Sequence, residues 1–147
     1  MWWDKEMINI MTVKLSDIID AITMANQDSF YFLDKETGIV EWVSDMVMTE
    51  EEQQEIYNRL DEHGFYRLPT QYEIRDYDIM EEFVDILSGT MQERLSNAIY
   101  CHGAFRRFKD TVHQMGIAEK WYAFQDEAYK RKAIEWCEEN DIQYVLS

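Results

Sequence analysis

The chain has 147 residues, room for one ordinary domain with its own core and too little for two large ones. Apolar residues make up 46% and aromatics 14%, which excludes a disordered chain even with charged residues at 30%. Thirty acids against fourteen bases leave a net charge of −16, so the molecule as a whole repels nucleic acid and anionic membranes.

The uncharged runs fall short of the roughly 18 residues a membrane-spanning helix needs, and no membrane contact is expected. The opening Met1-Trp2-Trp3-Asp4-Lys5-Glu6 lacks the basic-then-apolar order of a secretory signal. Cys101 and Cys137 are the only cysteines and stand far apart. That is the usage of reduced thiols, so a cytoplasmic protein is expected.

Residues 1–12 read as an amino-terminal extension and 13–147 as a single α+β domain. Trp2, Trp3, Met7, Ile8, Ile10 and Met11 make the extension apolar, suited to docking on the domain or on another chain. Ser16 then marks a helix start before Asp17, Ile18, Ile19, Ile22 and Ala25. Two aromatic, β-branched runs, Phe30–Asp34 and Ile39–Ser44, flank a turn that ends in Gly38, the pattern of a β-hairpin over about 29–44. Thr49 with Glu52, Thr70 with Glu73, and Thr90 with Glu93 each have the spacing of a capping box. The helices they open carry Ile56 and Leu60; Ile74, Tyr77, Phe83, Val84 and Leu87; and Leu95, Ala98 and Ile99. Phe65–Leu68 before Pro69 and Ile142–Leu146 are candidate third and fourth strands. A helix over about Ala104 to Met115 carries Phe105, Phe108, Val112 and Met115 on one face, and the longest runs from about Ala118 to Glu139. The fold expected is helix-rich α+β: a small antiparallel sheet packed against several helices, covered on one face.

Several of these segments resemble an uncharacterised bacterial protein family, number 0158. They are Leu15-Ser16-Asp17-Ile18-Ile19-Asp20-Ala21, Leu33-Asp34-Lys35-Glu36-Thr37-Gly38, Leu68-Pro69-Thr70, Gly103 to Asp110, Trp121-Tyr122-Ala123-Phe124 and Ala133 to Asn140. The resemblance spans nearly the whole chain after the extension. Asp141 stands where the family pattern usually has glycine. The resemblance implies a bacterial cytoplasmic protein and brings with it no activity, substrate or catalytic residue.

Chemistry is sparse in the sequence. There is no Gly-x-Ser-x-Gly elbow and no glycine-rich phosphate loop. Cys101 and His102 are adjacent, and neighbours on a helix diverge by roughly 100°, which suits them poorly to share a proton. His63 and His102 each precede a glycine, as helix-terminal histidines do, and no histidine has a second ligand at metal spacing. No metal and no cofactor are expected, and the residues lean against an enzymatic role without excluding one.

One feature breaks the pattern. Between Arg94 and Lys132 lie eight bases and four acids, a local charge of +4 that leaves −20 to the rest. Arg106 and Arg107 fall in the first turn of the helix after Gly103, where the dipole disfavours cations by roughly 0.3–1 kcal/mol each. Arg106, Lys109 and His113 share one face of that helix. These four residues, Arg106, Arg107, Lys109 and His113, are the candidate site for a partner or an anion. The alternative is internal pairing, Arg106 with Asp110 first of all. The expected function is accordingly non-enzymatic binding of a macromolecular partner, a protein rather than a nucleic acid. The competing function is a binder of, or enzyme acting on, a small phosphate-bearing anion at the helix start near Arg106.

Overall fold

The computed structural model describes residues 12–100 and 103–146. The extension up to Met11, and the Cys101-His102 pair, lie outside the described residues. The chain forms two compact units: one takes the residues up to Ile74 together with those from Tyr129 onward, the other Arg75–Ala128. The helix-rich α+β class is as the sequence indicates.

In the first unit, β1 (Thr12–Lys14) leads straight into α1 (Leu15–Met24), which buries Leu15, Ile18, Ala21 and Ile22 on one stripe. The helix begins one residue before the expected Ser16, with Lys14 in the capping position and no side chain closing it. Strand pairing sets this boundary: β1 runs parallel to β5 (Gln143–Val145), and Lys14 opposite Val145 is the last pair. The carboxy-terminal strand therefore forms its own two-stranded sheet and does not extend the hairpin.

The hairpin forms as expected, from β2 (Ser29–Asp34) and β3 (Val40–Ser44). The expected third strand, β4 (Phe65–Arg67), pairs antiparallel with the other side of β2. Between β3 and β4 lies α2 (Glu50–His63). At its start Thr49 accepts from the Glu52 N–H at 3.1 Å while the Glu52 side chain accepts from the Thr49 N–H at 3.2 Å. Thr70 and Glu73 make the same exchange at the short α3 (Gln71–Ile74). There the Arg67 guanidinium, 2.6 Å from Glu73, and the Thr70 N–H hold the Glu73 carboxyl down to about 2.

Helices cover this sheet on both faces, where the sequence suggested one. Phe32, Val43 and Leu60 form a core on the α2 side, with Ile56 against it and the rings of Tyr57 and Phe65 edge-on to Phe32. On the other face Leu33 is fully buried, Tyr66 packs edge-on to Trp136, and the Trp136 indole donates to the Arg67 carbonyl at 3.1 Å. Trp136 belongs to α7 (Ala118–Glu139), whose second half lies in this unit. The helix ends with Ile142 N–H bonded to Cys137 O and Asp141 N–H to Glu138 O. That is a Schellman closure, with Asp141 at φ 56° in the position glycine favours.

The second unit holds α4 (Asp76–Asp85), α5 (Gly89–Ile99), α6 (Ala104–Gln114) and the first half of α7. Its core is aromatic: Phe83 and Phe108 are fully buried and both pack edge-on to Trp121. Two expectations fail here. The helix expected from Thr70 to Leu87 is broken at Arg75, whose left-handed φ of 56° separates α3 from α4. The Thr90–Glu93 box does not close, because α5 starts two residues early, with Ser88 rather than Thr90 in the capping position.

Candidate partner-binding surface

The cationic candidates all lie on α6 in the second unit, and all four are exposed. Arg106 forms no ion pair with Asp110 or with any other carboxylate among the described residues. Gly103 precedes the helix at φ 76° and supplies no capping side chain, so it cannot satisfy the first N–H groups. The fourth candidate is engaged elsewhere: His113 Nε2 lies 3.3 Å from the Tyr122 hydroxyl. Phe105, expected on the buried stripe with Phe108, is instead half exposed. The helix start thus shows Arg106 and Lys109 to solvent beside an exposed aromatic ring.

A second constellation was hidden in the sequence. His63, the last residue of α2, places Nδ1 2.8 Å from Asp34 Oδ2 and Nε2 3.2 Å from Glu36 Oε2. Asp34 is 1% exposed, and its other oxygen accepts from the backbone N–H groups of Glu36 and Thr37 at 2.8 and 3.0 Å. Burial would raise the Asp34 pKa. The His63 hydrogen bond, the two amides and the imidazolium charge outweigh it, and the carboxyl sits below its ordinary range. The hydrogen bond to Asp34 raises His63, and the charges of Asp34, Glu36 and Glu62 add to it against some burial. Both ring nitrogens are occupied by carboxylates, so the imidazole has no free nitrogen to activate a nucleophile. The trio ties the end of α2 to the hairpin turn. The only sequence signal for it was an acid closing an apolar strand just before a turn.

The third feature is a groove of about 620 Å³ beside Met24, the last residue of α1. The strand register places Tyr31 opposite Trp42, and both line this groove. Its lining includes Met24, Tyr31, Trp42, Met46 and Val47, with Asp28 among them. Met24, Met46 and Val47 are 63%, 72% and 68% exposed, and Trp42 42%. A smaller hollow of about 340 Å³ shares Met24 and Tyr31 with the groove and adds Asp17, Asp20 and Ile39. The linings of the two hollows contain no lysine or arginine. A contiguous apolar surface with an acidic border is the usual mark of a contact site for another molecule. A separate polar hollow is lined by the paired Arg67 and Glu73 together with Lys132, Glu135 and Glu139, acids outnumbering bases.

Residues 8–147 match the family model described as "Uncharacterised protein family (UPF0158)". Among curated proteins the chain is similar to a UPF0158 protein of Chlamydia trachomatis serovar D, 26% identical over 145 residues. It is also similar to one of Chlamydia pneumoniae, 25% identical over 155 residues. Each alignment covers 94% of this chain but only 43% and 44% of the relative, so the chain spans less than half the length of the curated relatives it matches. No solved structure matches.

Proposed function

This chain belongs to the uncharacterised protein family UPF0158, and we propose that it works by binding a macromolecular partner, a protein, without catalysing a reaction. The observation that carries this reading is the open groove over Tyr31 and Trp42. Burying an exposed Met, Val or Trp side chain is worth roughly 1.5–3 kcal/mol, so covering several in one contact supplies the driving force for association. The acidic surroundings favour a partner of opposite charge and disfavour nucleic acid.

Two details favour binding over catalysis. The His63 imidazole is engaged at both nitrogens. Cys137 is a free, fully buried thiol whose pKa is pushed up to about 11 by burial and by the Glu138 charge, so it is no ready nucleophile. Among the described residues no helix is long and apolar enough to cross a membrane. The cytoplasmic setting is part of the same proposal, in keeping with a thiol left reduced.

A photo-crosslinking residue at Met46 tests the reading in the native cell extract. Crosslinks to a discrete protein are expected from position 46 and not from an exposed control on α2, Gln54. Equal or absent labelling from both positions would overturn it.

The small-anion reading rests on Arg106 standing without a carboxylate partner at the uncapped start of α6. A thermal-shift panel of phosphates and nucleotides tests it: saturable stabilisation would support it and none would remove it.

A further inference from the structure

β3 is an edge strand: the three-stranded sheet runs β3-β2-β4, and among the described residues no strand lies along the outer side of β3. The ladder fixes which of its backbone groups face outward. Asp34 N–H bonds to Ile39 O at 3.0 Å, so Asp34 with Ile39 is a hydrogen-bonded pair, as are its alternates Phe32 with Glu41 and Phe30 with Val43. Tyr31 with Trp42 and Leu33 with Val40 are then the non-bonded pairs. The other side of β2 agrees, since the Tyr31 carbonyl is taken by Leu68 N–H from beyond β4 at 3.0 Å. The N–H and C=O groups of Val40 and Trp42 therefore point away from the sheet. The Trp42 ring stands on the groove face beside them, and the side chains of a tyrosine and a tryptophan in a non-bonded pair approach closely.

We propose that this edge receives an extended, lysine- or arginine-rich segment of the partner protein as a fourth strand. The inference rests on the partner-binding reading above and names the mode and chemistry of the same site. Two outward residues supply N–H and C=O groups for main-chain pairing. The groove takes one large apolar side chain of the incoming strand over Trp42, between Met24 and Met46. Asp28, with Asp17 and Asp20 in the adjoining hollow, selects for positive charge, and the lining offers no base to oppose it. The same charge argues against a second copy of this chain as the added strand, because two molecules of −16 repel. Exposed edge strands are ordinarily protected by lysine, proline or a bulge. The Val40–Ser44 stretch has none of the first two, and its pairing with β2 runs through five consecutive residues.

The probe is a seven-residue peptide with phenylalanine at position 4, lysine at positions 2 and 6 and threonine elsewhere, so that the ring and the charges share one face. Its controls are the same peptide N-methylated at alternate amides and a version with glutamate for lysine. Amide hydrogen exchange on the full chain is read at saturation. Exchange at Val40 and Trp42 is expected to slow at least tenfold with the lysine peptide, and both controls are expected to leave it unchanged. The Val40→Pro variant removes one outward donor without cutting a bond to β2, and it should weaken the peptide at least fivefold. Binding that leaves both amides exchanging freely, or equal binding of the N-methylated peptide, overturns strand addition. Failure of the lysine peptide to bind also overturns it. In those cases crosslinking from Met46 still decides the broader partner-binding reading, so the two failures are told apart. Self-association of the chain in sedimentation, with protection of the same amides and no peptide present, would replace the partner segment by a second copy.

Discussion

Asp34 and His63 lie 29 residues apart in sequence and 2.8 Å apart in space, and their bond locks the end of α2 onto the hairpin turn. Its pH dependence follows from the two shifts. The His63 pKa is raised, so its contribution is complete below the ordinary histidine value of about 6.5 and is lost as pH climbs through the raised value. The Asp34 pKa is lowered, so its contribution is complete above about 3.9 and is lost as pH falls through the lowered value. The melting-temperature gap between wild type and His63→Gln should therefore be widest at about pH 5–6. It should narrow on going to pH 9. A gap that widens toward alkaline pH would contradict the assignment.

Gly64 makes that bond possible. It follows His63 directly at φ 82° and ψ 152°, a region open essentially to glycine alone, and it turns the chain from α2 into β4. A Cβ there would meet Lys35 Cδ at 3.1 Å, the far end of a flexible side chain that can move aside. Backbone strain is thus the main cost. Gly64→Ala should destabilise by about 1–3 kcal/mol in denaturant unfolding, and a loss under 0.5 kcal/mol would contradict it.

At the end of α7 the glycine position of the Schellman turn is filled by Asp141 at φ 56°. Asp tolerates this conformation better than most residues but worse than glycine. Asp141→Gly should gain about 0.5–1 kcal/mol and Asp141→Val should lose about 1–2 kcal/mol. Equal stability of the two variants would show that the turn relaxes.

Arg106 makes no ion pair among the described residues, and it sits in the first turn of α6, where an acid is preferred to a base. Arg106→Glu should leave stability unchanged or raise it by up to about 1 kcal/mol. A fall of more than 1 kcal/mol in thermal or denaturant unfolding would mean that this guanidinium holds the fold together.

What could be read from the sequence was what is local. The hairpin of β2 and β3, the boxes at Thr49 and Thr70, and α7 from Ala118 to Glu139 each depend on residues a few positions apart. What escaped was long-range or unmarked. β5 lies inside the run Ile142–Leu146 that the sequence marks as a strand, but its partner β1 is three residues with no hydrophobic run to announce it, and the two pair across almost the entire chain. Arg75 is no helix breaker by type, yet it takes the left-handed turn, anchored by its ion pair to Asp78 at 2.9 Å. His63 read correctly as a helix terminus, while its carboxylate partners lay in a distant turn. The cationic helix start was visible because like charges cluster in sequence. The groove was not: Trp42 and Met46 are residue types that usually fill a core, and nothing local in the sequence marks them as exposed.

The partner recovered by crosslinking from Met46 allows the most direct test of the proposed role. Its affinity should be compared for wild type and the Trp42→Ser, Met46→Ser double variant, with the unfolding midpoint measured on the same samples. At least a tenfold loss of affinity with an unchanged midpoint is the expected result. Undiminished affinity in a fully folded double variant would contradict a contact through this face.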